Sequence, residues 1–184
     1  NFRTVVAHGA LGTKTESTVE HGAVIIATGG REHKPEEHLY GKDPRVMTQL
    51  EFEQKHSTGA LPPLKTVVMI QCVGSRNEKR GYCSRVCCTV AVKNALLIRK
   101  ENPDARIFVL YRDMRTYGRR EEWFQEARAQ GIEFLRHEDK EIPVVSLDGG
   151  ALKVTTREPV LNRTLILRPD IIVLSSGLLP PEGS

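Results

Sequence analysis

The four cysteines of this 184-residue chain are the residues most able to do chemistry, and all four lie within 17 residues. They are Cys72, Cys83, Cys87 and Cys88. Cys87 and Cys88 are adjacent, and Cys83 precedes Cys87 by about one helical turn. No secretory signal opens the sequence, and cysteines crowded in this way are typical of metal binding or redox chemistry rather than of a disulfide framework. We therefore predict that they form one site.

The elements around the cysteines predict a strand–helix–strand unit. Residues 67–72 form a short apolar run rich in β-branched side chains, with Pro62 and Pro63 before it and Gly74 after it. This run is typical of a buried parallel strand. A helix over 84–101 and a strand over 106–111 complete a βαβ unit, the frame of a dinucleotide-binding domain.

This unit predicts that the four sulfurs converge, because the carboxyl end of a strand meets the amino end of the next helix. The free amides and the positive dipole end of the helix would stabilise thiolates and an anionic cluster. Zinc fits less well, because structural zinc sites favour spaced Cys-x2-4-Cys pairs over adjacent cysteines. Adjacent cysteines can bind different irons of an iron–sulfur cubane. The alternative is that the four thiols are reduced and pack as small apolar groups.

The rest of the chain predicts an α/β protein with antiparallel hairpins. Residues 23–30 look like a buried strand that ends in a glycine turn, and Thr48 with Glu51 forms a capping box that opens a short helix. A helix over 121–130 should place Trp123, Phe124 and Ala127 on its inner side. The other predicted strands are 2–7, 15–20, 132–135, 142–147, 152–158, 164–167 and 170–176.

The composition is that of an ordinary globular protein, with 39% hydrophobic and 27% charged residues. The net charge of +4 is too mild to indicate nucleic-acid binding, and no basic stretch is interleaved with aromatics. No apolar run reaches the ~18 residues of a membrane span. We expect a cytoplasmic protein, and we interpret the chain as a fragment of a longer one because it starts at Asn1 without an initiator methionine.

The cysteine pattern Cys-x10-Cys-x3-Cys-Cys, preceded by Gln71 and followed by the run 109–118, resembles the flavin-containing A subunits of heterodisulfide reductases. The run 25–29, with Tyr40-Gly41 and 46–48 after it, resembles the same family. The resemblance covers nearly the whole chain.

This resemblance implies a thioredoxin-reductase-like oxidoreductase component that passes electrons between FAD and iron–sulfur clusters, with the four cysteines ligating one [4Fe–4S] cluster. The turn at Thr28 and Gly29 resembles an Ala-Thr-Gly motif of two-domain flavoproteins. The turn that begins at Gly177 resembles their Gly-x-x-Pro turn. Residues 1–62 would then be part of an FAD-binding domain, 63–162 an inserted NAD(P)-binding-like, Rossmann-like domain, and 163–184 the return strand. Other subunits of an electron-transfer complex, or a second copy of the chain, are the expected partners.

The nicotinamide site departs from the usual pattern. No Gly-x-Gly-x-x-Gly occurs in the chain, so we expect FAD only in the full-length protein and expect the isolated fragment to be inactive. Gly74 is the single glycine of the loop that would approach a pyrophosphate. Four arginines after the second strand could read a 2′-phosphate or form a solvated face, and they are Arg112, Arg115, Arg119 and Arg120.

Lys93 is the remaining candidate for cofactor binding. It could face the flavin, pair with Glu51 or Glu53, or lie at the edge of its helix with its ammonium in water. No side chain is predicted to act as an acid–base catalyst. Two rival functions stay open: an NAD(P)H-binding domain of a pyridine-nucleotide disulfide oxidoreductase, and a non-catalytic module that docks subunits.

Overall fold

The structure is a computed structural model that describes residues 1–9, 15–160 and 162–181. The chain divides into two compact units, Asn1–Gly30 with Pro180–Ser184, and Arg31–Leu179. In chain order the elements are β1 (Phe2–His8), β2 (Thr15–His21), β3 (Arg31–Glu32), β4 (Val46–Thr48), α1 (Gln49–Ser57), β5 (Thr66–Val73), α2 (Cys87–Glu101), β6 (Arg106–Tyr111), α3 (Arg120–Ala129), β7 (Glu133–Arg136), β8 (Val144–Asp148), β9 (Ala151–Glu158), β10 (Arg163–Leu167), β11 (Ile171–Ser176) and β12 (Leu178–Leu179).

The larger unit is built on a five-stranded parallel sheet with the strand order β4-β11-β5-β6-β7. The central strands β5 and β11 are nearly continuous runs of buried aliphatic side chains. Such runs are typical of strands that are covered on both faces. The βαβ unit predicted from the sequence is β5-α2-β6, and it forms the middle of this sheet.

Two different layers cover the faces of the parallel sheet. Met69 and Val109 belong to the core cluster that includes the helical residues Val92 and Ala95. Ile70 belongs to a second cluster, together with residues of β9 in the antiparallel sheet β8-β9-β10. The three-layer α/β fold with added hairpins is therefore confirmed, and it leaves the carboxyl ends of β5, β6 and β11 free to carry loops.

The smaller unit contains the antiparallel pair β1-β2. The prediction that 23–30 is a buried strand is wrong, because these residues form no regular element and Ile25 and Ile26 are 89% and 84% exposed. An apolar run becomes a buried strand only when neighbouring strands supply its hydrogen bonds. No strand among the described residues of this unit pairs with it.

The compact units of the structure have other boundaries than the predicted domains, whose assignment to FAD-binding and NAD(P)-binding-like domains stays a prediction. The predicted boundaries after 62 and 162 would separate β4 and β11 from β5, yet β11 pairs with both of them in one sheet. The unit Arg31–Leu179 is therefore the structural division. Local sequence could not reveal this, because pairing between β4 and β11 joins residues more than 120 positions apart.

Two helix predictions need correction. α2 starts at Cys87 rather than at 84, because Arg85 has a left-handed φ of 64° that a right-handed helix cannot contain. In α3, Ala127 is buried and Phe124 packs edge-on against Phe134, but Trp123 is 43% exposed and does not lie inside. None of the described helices is both long and apolar enough to cross a membrane.

Candidate functional site

The end of β5 turns sharply at the first cysteine. Cys72 has a φ of 62° and Gly74 one of 67°, and the register between β5 and β11 shifts at this level. A left-handed conformation at a residue with a Cβ atom costs about 1–2 kcal/mol. Strain of this kind is concentrated at functional sites, where the surrounding structure maintains it.

The other three cysteines lie on the segment that leads into α2. Cys87 and Cys88 occupy its first turn, whereas Cys83 lies in the preceding loop and not in the helix as predicted. Val86, the N-cap residue of α2, makes no side-chain capping hydrogen bond. Amides at the start of α2 therefore have no side-chain acceptor from the N-cap.

All four cysteines are free thiols, and their electrostatics couple them. Burial, together with the charges of Cys88, Cys72 and Cys83, raises the pKa of Cys87 to about 12. Burial likewise raises the pKa of Cys88 to about 11, with contributions from Cys72 and Cys83. The pKa of Cys72 is raised by burial and by Cys83 against the opposing charge of Arg76. Each of the six sulfur pairs thus contributes to the raised pKa of at least one of its members.

Hydrogen-bond donors surround these sulfurs. The backbone N–H of Arg85 donates to Cys83 Sγ at 3.3 Å, and the Arg76 guanidinium lies 3.9 Å from Cys72 Sγ. The Ser84 hydroxyl favours the thiolate of Cys87, and a backbone N–H of Arg115 favours that of Cys88. Donors to cysteine sulfur are among the groups that set the potential of an iron–sulfur cluster.

The sulfurs are not arranged around one ion. Within residues 1–9, 15–160 and 162–181, no group of three or more His, Cys, Asp and Glu side chains is arranged to hold a metal ion. A single zinc ion with Zn–S bonds of about 2.3 Å requires its sulfurs to lie about 3.8 Å apart. The described residues thus show no preformed site for a single zinc ion.

The turn after Cys72 is closely packed by its neighbours. A Cβ atom on Gly74 would lie 2.0 Å from the imidazole Cδ2 of His33, so only glycine fits here. Arg80 donates to the carbonyl of Gly74 and contacts the His33 imidazole. Gly177 donates its N–H to the carbonyl of Val73 at 2.9 Å. Gly74 and Gly177, both predicted as cofactor-binding residues, therefore lie together beside the cysteine site.

The loop that carries Cys83 is fixed to β12. The Tyr82 hydroxyl donates to the carbonyl of Leu178 at 2.9 Å, and the Leu178 N–H donates to the Ser84 hydroxyl at 2.8 Å. These two bonds flank Cys83 in sequence. They hold the loop over the carboxyl ends of the strands, where the other sulfurs lie.

Lys93 makes one of the ion pairs considered from the sequence. Its ammonium lies 2.8 Å from Glu53, and both side chains are partly exposed. Glu51 instead accepts hydrogen bonds from Lys34 and from the Tyr40 hydroxyl. The proposed contact of Lys93 with a flavin stays a prediction.

Two of the four arginines considered for a 2′-phosphate are engaged within the protein. Arg112 donates to the carbonyl of Arg76 at 2.8 Å, and Arg115 donates to Asp113 at 2.8 Å. Arg119 and Arg120 are exposed at the start of α3. Thr28 and Gly29 lie in the smaller unit, where Gly29 has a φ of 72°. Their predicted role in cofactor binding stays a prediction.

Two residues near the cysteines were not singled out from the sequence. Asp113 pairs with both Arg76 and Arg115, so it connects the loop after β5 with the loop after β6. His33 closes over Gly74 from a distant part of the chain. The run Arg112-Asp113-x-Arg115 was a signal for Asp113, but nothing in the sequence indicated His33.

The chain was compared with known proteins. It is 38% identical to the A subunit of the H(2):CoB-CoM heterodisulfide,ferredoxin reductase of Methanothermobacter thermautotrophicus, over 92% of this chain and 28% of that protein. It is 35% identical to an iron-sulfur A subunit of the CoB–CoM heterodisulfide reductase of Methanopyrus kandleri, over 91% and 28% of the two chains. The chain thus spans less than a third of the length of these curated relatives. No family model matches it.

Solved structures share the fold at low sequence identity. The ornithine N-hydroxylase of Kutzneria sp. 744 superposes with a TM-score of 0.53 at 12% identity, covering 97% of this chain and 50% of that enzyme. Thioredoxin reductase of T. acidophilum gives a TM-score of 0.51 at 13% identity, covering 97% and 53%. The resemblance inferred from the cysteine motif is confirmed by the curated relatives: the chain matches one segment of heterodisulfide reductase A subunits.

Proposed function

We propose that the chain is an electron-transfer segment of an iron–sulfur flavoprotein reductase, and that Cys72, Cys83, Cys87 and Cys88 ligate one [4Fe–4S] cluster. The observation that carries this proposal is the placement of the cysteines: Cys72 lies at the end of β5, Cys87 and Cys88 open α2, and Cys83 lies in the loop between them that is fixed to Leu178. The relatives include proteins that are named as iron-sulfur subunits of heterodisulfide reductases, which supports the same chemistry.

The donor set fits a cluster for two reasons. Thiolates are the ligands of such clusters, and all four thiols are free. The amides at the start of α2 and the guanidinium of Arg76 would offset the negative charge of a thiolate-ligated cluster. When bound, the cluster would supply one-electron redox chemistry, while this chain holds the cysteines and donates hydrogen bonds to their sulfurs.

The raised pKa values of the thiols predict that cluster assembly releases protons. Burial keeps Cys87 and Cys88 protonated near neutral pH in the metal-free chain, because their pKa values are about 12 and about 11. Ligation requires the thiolates, so each cysteine must lose its proton as iron binds. Assembly should therefore be favoured at alkaline pH.

The flavin belongs to the proposal for the whole protein. The fold is that of a thioredoxin-reductase-like protein, and the roles of Thr28, Gly29, Gly74, Lys93 and Gly177 in cofactor binding stay predictions to be tested. The whole protein would work as an oxidoreductase component in a complex with other subunits. The NAD(P)H alternative has less support, because Arg112 and Arg115 already have partners within the protein.

The test is reconstitution of the chain with iron and sulfide under anaerobic conditions. We expect about four iron atoms and four acid-labile sulfides per chain, together with a broad visible absorption that is bleached by dithionite. A Cys83→Ser Cys87→Ser variant should lose the iron and the sulfide. The flavin content of a parallel preparation with added FAD would show whether this segment holds flavin by itself.

The matched control is Ser57→Ala, an exposed substitution at the last residue of α1, outside the segment that carries the cysteines. It should keep the full iron content. Far-ultraviolet circular dichroism should show that both variants are folded. A folded wild-type chain that binds about one zinc ion per molecule and no sulfide would overturn the proposal in favour of a mononuclear site.

A further inference from the structure

The positive charge of the chain is concentrated beside the cysteine site. The loops 76–86 and 112–120 carry eight lysines and arginines against two acidic residues, Glu78 and Asp113. Their excess of six positive charges is larger than the net charge of +4 of the whole chain. The rest of the chain is therefore slightly acidic, and the modest total charge conceals a strongly basic region.

Four of these cations are available to a partner. Lys79, Arg85, Arg119 and Arg120 are exposed, and within the described part of the chain none of them pairs with a carboxylate. The positive charges of these four side chains would repel each other unless a partner supplied negative charge.

The two loops form one surface with apolar side chains in it. The loops are joined by the hydrogen bond from Arg112 to the carbonyl of Arg76 and by the Arg76–Asp113 ion pair. Tyr82 and Tyr117 are 46% and 53% exposed, and Val86 is 39% exposed. We call this surface the aromatic–basic patch, and its members are Lys79, Tyr82, Arg85, Val86, Tyr117, Arg119 and Arg120.

The aromatic–basic patch lies directly over the cysteine site. Cys83 stands between Tyr82 and Arg85 in the same loop, and the segment that carries Tyr117 also carries Asp113, whose carbonyl lies 4.0 Å from Cys88 Sγ. The Arg85 guanidinium lies over the Tyr117 ring, 5.8 Å from its centroid, so it closes the gap between the loops. A molecule seated on the patch would be close to the sulfurs.

We propose that the aromatic–basic patch is the docking surface for a separate, acidic electron-carrier protein. Aromatic residues at the centre and charges at the rim are the usual anatomy of protein interfaces. Interfaces between redox proteins are small and transient, and complementary charge raises their association rates. The transfer of electrons through the docked carrier rests on the proposed function, whereas the binding itself does not.

The experiment measures binding of a probe carrier, an acidic bacterial-type two-cluster ferredoxin, to the reconstituted chain by isothermal titration calorimetry. The triple variant Lys79→Glu Arg119→Glu Arg120→Glu should bind at least about tenfold more weakly at low salt, because charged groups at the rim control association. The difference should disappear in about 1 M salt, where the Debye length falls to about 3 Å.

The matched control is the triple variant Lys42→Glu Lys100→Glu Arg163→Glu, which makes the same change in net charge at exposed positions outside the patch. It should bind the ferredoxin within about twofold of the wild-type chain. An equal loss of affinity in both triple variants would overturn the proposal, because net charge alone would then explain binding. Equal or tighter binding of a poly-uridine RNA would also overturn it in favour of a nucleic-acid surface.

A second variant tests the apolar centre separately from the charges. Tyr117→Ser should weaken binding in high salt as well as in low salt, because burial of an aromatic ring is not screened. If Tyr117→Ser bound the ferredoxin like the wild-type chain, Tyr117 would not be part of the docking surface.

The docking proposal and the cluster proposal fail in different ways. If the chain holds no iron but still binds the ferredoxin in a manner sensitive to the patch variants, the docking surface stands and the cluster does not. If the cluster assembles and the patch variants bind the ferredoxin like the wild-type chain, the docking surface is wrong and the cluster stands. Iron content and calorimetry of the same samples separate the two.

Discussion

At the residue scale, Gly74 shows how backbone conformation makes room beside the cysteine site. Its φ of 67° turns the chain away from β5, and the His33 imidazole occupies the space that a side chain would need. Two separate costs therefore oppose any other residue at this position, one from the backbone and one from the contact with His33.

We expect Gly74→Ala to lower the free energy of unfolding by about 1–3 kcal/mol, because left-handed strain and a steric clash act together. Urea denaturation of the metal-free chain would measure the change. In a His33→Ala background the loss should be smaller, since only the backbone strain remains.

The control for this substitution lies in the same loop. A Cβ atom on Gly81 would meet nothing within 4 Å, and its φ is not left-handed. Gly81→Ala should therefore be neutral, or stabilise the fold by about 0.4–1 kcal/mol through a smaller entropy of the unfolded chain. A Gly81→Ala variant as unstable as Gly74→Ala would show that the loop, rather than the close approach of His33, is sensitive.

At the element scale, α1 is fixed at its start by the capping box predicted from the sequence. Thr48 Oγ1 accepts the N–H of Glu51 at 3.3 Å, and Glu51 accepts the N–H of Thr48 at 3.0 Å. The Thr48 hydroxyl also donates to the Glu32 carboxylate at 2.7 Å, which joins α1 to the segment that ends in His33. This cap therefore connects the helix with the packing around Gly74.

We expect Thr48→Ala to destabilise the larger unit by about 1–2 kcal/mol, because the cap and the bond to Glu32 are both lost. Thermal or urea denaturation would measure the difference. Thr48→Ser keeps the hydroxyl and should therefore retain most of the wild-type free energy of unfolding. The remaining deficit should be that of one buried methyl group. Equal losses for the two variants would mean that the methyl group, and not the cap, stabilises α1.

At the scale of the whole molecule, the two units differ in how much surface they bury. In the smaller unit nearly every residue of β1 and β2 is exposed or only partly buried. In the larger unit β11 is buried at all six positions. An isolated hairpin of two strands is marginally stable in water, whereas a central parallel strand opens only with global unfolding.

Hydrogen exchange of this chain should therefore show two levels of protection. Amides of β5, β6 and β11 should exchange slowest, near the global unfolding limit, and those of β1 and β2 should exchange orders of magnitude faster. Nuclear magnetic resonance or mass spectrometry would resolve the two groups. Equal protection of β1 and β11 would contradict the independence of the units.

The sequence predicted those parts of the site that depend on local pattern. Short-range periodicity predicts the strand β5, the helix that follows it and the strand β6. This signal is visible in the sequence without knowledge of contacts between distant residues. The cysteine spacing along this unit was enough to indicate one site and its family. The capping box at Thr48 was readable for the same reason, since its partners are three residues apart.

The tertiary structure decided whatever depends on contacts between distant residues. The runs 23–30 and 170–176 were both predicted as strands, yet only the second, which forms β11, has parallel neighbours and is buried. The late start of α2, the contact of His33 with Gly74 and the link of Asp113 to two loops also required the folded chain. Local sequence determined which segments could be strands, helices or cysteine ligands, and long-range pairing decided which of them were buried and brought together, because burial is a property of neighbours rather than of residues.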